Sequence, residues 1–101
     1  MSVLVSLAVR GDTALFERSL TERADEFVRI ADGARKVGAI HHRFAIGDGF
    51  VLVEDEWESG EQFHAFFADP ELQKFIGEVG ADMSSEPSLS IARAVASPDE
   101  F

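Results

Sequence analysis

The chain has 101 residues, 46% of them hydrophobic, no cysteine, and 9 basic against 19 acidic residues for a net charge of −10. That length holds one domain with a small core, and the lack of cysteine excludes a disulfide framework and a thiolate metal site. The acidic balance excludes nucleic acid and anionic membranes as partners, since both are held by clustered Lys and Arg; spread-out acidic charge of this kind keeps a small domain soluble.

Ser2 to Arg10 alternates Val3, Val5, Leu7 and Val9 with Leu4, Ser6, Ala8 and Arg10, and this period of two with β-branched residues predicts a strand. It is too short and too alternating for a signal peptide, and no apolar run reaches the roughly 20 residues a membrane helix needs. A cytoplasmic location is therefore expected. Gly11 breaks the strand, and Asp12 or Thr13 can cap the next element. From Thr13 to about Ala34 the apolar residues Phe16, Leu20, Ala24, Phe27, Ala31 and Ala34 recur in steps of three and four, which predicts one amphipathic helix. Arg18–Glu22 and Arg29–Asp32 lie at supportive spacings on its polar side.

Ala39 to Ile46 and Phe50 to Trp57 read as a second and third strand joined through Asp48-Gly49, a hairpin signal. Ser59 and Gln62 form a capping box ahead of a helix whose apolar face carries Phe63, Phe66 and Phe67. Asp69-Pro70 interrupts it, and Pro70 can open a further helical segment striped by Leu72, Phe75, Ile76 and Val79. A loop from Met83 to Pro87 leads to a fourth strand, Ser88 to Val95. The expected domain is 1–96, with 97–101 as a short acidic tail. The order strand, helix, strand, strand, helix, strand predicts an α+β, ferredoxin-like βαββαβ fold with a four-stranded antiparallel sheet.

The helices of such a fold cover one sheet face. The other face here also carries apolar residues: Leu4 and Ala8 on the first strand, Phe50 and Leu52 on the third, Ala92 and Ala94 on the fourth. A sheet apolar on both faces has both to bury, so a homodimer is expected.

A two-residue Asp48-Gly49 loop sets Arg43 opposite Glu54, His42 opposite Asp55 and His41 opposite Glu56. Three consecutive basic–acidic pairs support that register. Parity then puts His42 on one face with Ile40 and Phe44, and Asp55 on the same face with Val51, Val53 and Trp57. A carboxylate bonded to one imidazole nitrogen fixes the tautomer and leaves the other nitrogen as a base. His42 and Asp55 are the candidate catalytic pair; a cross-strand ion pair that merely satisfies itself is the commoner origin of such an arrangement. His41 belongs to the opposite face, and His64 to the edge of its helix. No His-x-x-x-His or Glu-x-x-His spacing and no glycine-rich phosphate loop occurs, so no metal and no cofactor is expected. The helical phenylalanines either fill the space between helices and sheet or line it as a pocket for a flat apolar ligand. Leu7, Phe27, Phe44, Val53, Trp57, Phe63, Phe66 and Phe75 are the candidate lining.

The Trp57-Glu58-Ser59 turn, Phe63 just after the capped helix start and the Asp69-Pro70 break resemble the antibiotic biosynthesis monooxygenase family, dimeric α/β-barrel proteins, over nearly the whole chain. The resemblance implies a cleft between helices and sheet in each subunit, and a cofactor-independent monooxygenase acting there on a small aromatic or quinol-like molecule. A non-catalytic ligand-binding or structural homodimer of the same fold is the alternative. Many members carry a histidine where this chain has Phe66. The heme-degrading branch uses an asparagine, a tryptophan and an iron-binding histidine at positions matching Leu7, Phe66 and Phe75, so heme degradation is not expected.

Overall fold

A computed structural model describes all 101 residues. Strands β1 (Val3–Arg10), β2 (Ala39–Ile46), β3 (Phe50–Trp57) and β4 (Ser88–Arg93) form one antiparallel sheet in the order β2-β3-β1-β4. Helices α1 (Thr13–Glu22) and α2 (Ala24–Lys36) connect β1 to β2, and α3 (Gly60–Phe67) and α4 (Pro70–Glu78) connect β3 to β4. This is the ferredoxin-like α+β arrangement with each helical connection in two pieces. No helix is long and apolar enough to cross a membrane.

The break at Pro70 follows the sequence: Asp69 accepts from the Glu71 amide and Pro70 opens α4. The break at Arg23 departs from the single helix expected over Thr13 to Ala34. Arg23 leaves helical geometry (φ −121°, ψ 32°) with no proline or glycine near it. A 22-residue helix would run about 33 Å, against about 27 Å for an eight-residue strand. Two shorter helices stay over the sheet. Arg23 fastens the junction: its guanidinium pairs with Glu26 at 2.7 Å and Glu78 at 3.1 Å and lies 4.7 Å from the Phe75 ring centre. The expected pairs Arg18–Glu22 and Arg29–Asp32 do not form.

Hydrogen bonding from Arg23 holds the Glu26 carboxyl below its ordinary value of 4.5. A carboxyl whose pKa is lower folded than unfolded contributes stability above its unfolded pKa and loses it as pH falls through the folded one. Arg23→Ala is therefore expected to lower Tm at neutral pH. The gap to wild type should narrow below about pH 4.5 as Glu26 takes up its proton, which a pH series of thermal melts checks.

The β2–β3 register is the one the charges indicate, with Arg43, His42 and His41 opposite Glu54, Asp55 and Glu56. Of those pairs only His42–Asp55 closes into an ion pair. Glu54 instead accepts from Ser6 of β1, and Glu56 from Ser2 just before that strand. In the turn only Gly49 takes positive φ, 80°, with Asp48 in the ordinary region. At the far end the register shifts, Ala39 pairing with Trp57, and Ile40 drops out of the ladder. Ile40, expected to share a face with His42, is left without a strand partner by this bulge and is 55% exposed.

Two clusters make the core. Phe16, Val51, Phe75 and Val79 pack at one end, Val5, Trp57 and Phe63 at the other. Helix α2 spans both clusters with half-buried side chains only, Phe27 and Ile30 against the first and Ala34 against the second. Close backbone approach closes the first end: a Cβ on Gly11 would lie 2.2 Å from the Gly80 carbonyl oxygen, the oxygen that accepts from the Asp12 amide.

Candidate functional site

The two clusters and α2 border a cavity of about 440 Å³ between helices and sheet. Its sheet wall is built from the residues that strand alternation turns toward the helices, among them Leu7, Val9, Phe44, Val51, Val53 and Trp57. The helical wall comes from Phe16, Phe27, Ile30, Phe63, Phe66 and Phe75. All ten residues singled out from sequence border this one space: His42, Asp55, Leu7, Phe27, Phe44, Val53, Trp57, Phe63, Phe66 and Phe75.

Their packing divides them. Leu7, Trp57, Phe63 and Phe75 are buried, while Phe27, Phe44, Val53 and Phe66 are half-buried with faces toward the open space. Phe16, Phe27, Phe44 and Phe75 meet edge to face with ring centres 5.0 to 6.0 Å apart. This is the favoured geometry of aromatic pairs, and it holds the lining rings in fixed orientations.

Inside this apolar wall sits one hydrogen-bonded cluster. His42 Nδ1 lies 2.7 Å from Asp55 Oδ1, and Trp57 Nε1 donates to Asp55 Oδ2 at 3.0 Å. The Asp55 side chain is only 9% exposed and that of His42 38%. An ionised carboxylate can only accept, so Nδ1 carries a proton and the neutral ring leaves Nε2 as an acceptor. The His42 ring stands edge-on to Phe44, centres 4.6 Å apart, which limits its rotation. The arrangement can accept a proton from a ligand hydroxyl at Nε2 while Asp55 stabilises the imidazolium that results.

Trp57 enters the cluster by a route that parity makes legible. Residues 55 and 57 of one strand share a face, so a buried indole N–H needing a partner finds the carboxylate two residues away. Phe16, Ile30, Leu72 and Ile76 also border the cavity, beyond the lining expected; Phe16, Leu72 and Ile76 lie on the helical stripes that mark core positions, and Ile30 lies beside one. No group of three or more His, Asp or Glu side chains is placed to hold a metal ion.

No family model matches the chain, and a search of curated proteins finds no significant similarity. Solved structures do match over nearly its whole length. A monooxygenase from the gene ActVA-Orf6 of Streptomyces coelicolor, in complex with nanaomycin D, superposes with a TM-score of 0.64 at 21% identity, covering 97% of this chain and 93% of that one. SnoaB, a cofactor-independent oxygenase from Streptomyces nogalater, gives 0.60 at 16% identity over 98% and 97%. An antibiotic biosynthesis monooxygenase gives 0.62 at 9% identity over 93% and 99%. At these identities the likeness is one of architecture: the chain has the antibiotic biosynthesis monooxygenase fold.

Proposed function

We propose that the chain is a cofactor-independent monooxygenase for a small aromatic or quinol-like molecule bound in the cavity beside His42. The observation that carries this reading is the His42–Asp55–Trp57 cluster opening onto an apolar cavity of about 440 Å³, within the size range of small-molecule sites. The oxygenases that share the fold add to it.

His42 Nε2 takes the proton of a phenolic hydroxyl, and Asp55 holds the imidazolium. The phenolate is electron-rich at a ring carbon, and dioxygen is the oxidant. One electron passes to dioxygen, the radical pair joins as a C–O bond, and the peroxide takes back the proton from His42. Loss of water with the hydrogen of that carbon leaves a carbonyl. One phenol and one dioxygen thus give one quinone and one water. The apolar wall favours the step that lowers charge on the ring and keeps bulk water from the peroxide.

The test is oxygen uptake with metal-free protein against a panel of phenols and hydroquinones that bind. Uptake should match quinone formed one to one, and Asp55→Asn should lower the rate about tenfold to a thousandfold by misplacing the imidazole tautomer. Saturable binding with no oxygen consumed by any bound phenol would instead favour a ligand carrier of the same fold.

A homodimer built on the outer sheet face belongs to the same proposal. That face carries Leu4, Ala8, Phe50, Leu52 and Ala92, with Leu4 53% exposed, beside Arg43, which forms no ion pair within the chain. Sedimentation velocity at micromolar concentration should give twice the chain mass.

A further inference from the structure

The charged residues around the cavity are few, and both carboxylates among them are engaged. Asp55 is engaged by His42 and Trp57, and Asp12 accepts from the Leu15 amide to cap α1. Arg10 borders the cavity, but strand alternation sends its side chain to the outer face with Ala8. Arg35 remains. It borders the same space from the last turn of α2 and pairs with no carboxylate, since the chain's three ion pairs belong to Arg23 and His42.

Its place in the fold matters. α2 runs through Val37 and Gly38 directly into β2, so Arg35 stands at the end of the cavity where β2 begins, four residues before Ala39 and seven before His42. Ile40, half out of the sheet at the bulge, borders the same end. A guanidinium at an opening into an apolar cavity is a fitted partner for an acidic group on a ligand whose rings lie inside. It offers a local positive charge on a chain whose net charge of −10 otherwise repels anions.

We propose that the cavity takes aromatic anions, with the ring system among Phe27, Phe44 and Phe66 and a carboxylate, sulfonate or ionised enol paired with Arg35 at the rim. This rests on the cavity being the ligand site, as proposed above, and adds the substrate class to it. A hydroxyl on the same ring system then lies toward His42, so Arg35 sets which end of the ligand meets the base. Arg35 is a binding residue in this scheme, with no part in the proton transfer.

Two dyes with one aromatic body separate the claims. 1-Anilinonaphthalene-8-sulfonate carries an acidic group and N-phenyl-1-naphthylamine does not, and both brighten in apolar surroundings. Both should bind saturably to the wild-type chain. Arg35→Ala should weaken the sulfonate about tenfold and leave the neutral dye within about twofold, with Arg35→Lys between them. Rising salt should weaken the sulfonate on wild type and not on Arg35→Ala. Arg35 also suits the C-terminal end of α2; if that were its whole role, the variant would lower Tm and shift both dyes alike or neither, and the proposal would be overturned. Binding of neither dye to wild type would overturn it together with the cavity reading, whereas equal response of the two dyes to Arg35→Ala removes only the anion class.

Discussion

His42→Ala is expected to lower kcat/KM for a phenolic substrate by about 10² to 10⁴, the range that a positioned general base supplies. The variant should fold. The His42 side chain is 38% exposed and stands outside both core clusters, so truncating it costs little packing. Its loss removes one hydrogen bond from Asp55, which keeps the Trp57 indole as a partner, for a cost on the order of 1 kcal/mol. The pattern that checks the assignment is a wild-type urea midpoint, within that margin, beside collapsed turnover. Full activity in His42→Ala would remove His42 as the base.

The second large effect is on the fold itself. Trp57 is 1% exposed, packs against Phe63 and Phe66, and ends the strand that carries Asp55. Trp57→Ala should destabilise the chain by about 3–5 kcal/mol, the usual result of emptying a buried tryptophan site. That is a large part of the roughly 5–15 kcal/mol a domain of this kind has. Trp57→Phe separates packing from hydrogen bonding. It keeps most of the ring volume but takes the donor from Asp55 Oδ2, leaving a nearly buried carboxylate oxygen without its partner. Equilibrium urea unfolding should place Trp57→Phe between wild type and Trp57→Ala, and activity in the phenylalanine variant should fall through the misplaced His42.

What the residues disclose of this site depends on how local the physics is. The β2–β3 register is written in opposed charges, and a period of two then fixes which side of the sheet each residue takes. His42 and Asp55 come together from those two rules alone. The break at Arg23 is not written locally, because no proline or glycine marks it; it comes from Glu78, fifty-five residues away, and from the length of the sheet beneath. The bulge at Ile40 is similarly silent, being a matter of where β2 must turn to meet α2. Whether the phenylalanines fill or line the interior is decided by how closely the helices pack on the sheet. Phe27 on a closely packed helix and Phe27 on a loosely packed one have the same helical spacing.

One of the charge pairs misleads as well as informs. Arg43 and Glu54 do stand opposite each other, yet Glu54 accepts from Ser6 on the neighbouring strand and the ion pair does not form. Opposed charges identify a register because they are compatible with it. Whether they touch depends on what the third strand offers.

The tautomer of His42 decides whether this site holds a base aimed at its ligand. Long-range ¹H–¹⁵N NMR on the chain at neutral pH resolves the two ring nitrogens of each histidine. A pyrrole-like Nδ1 and a pyridine-like Nε2 are expected for His42, with Nε2 shifting when 1-naphthol is titrated into the cavity. A protonated Nε2 on the neutral ring, or an imidazole indifferent to a phenol that the cavity demonstrably binds, would contradict that role.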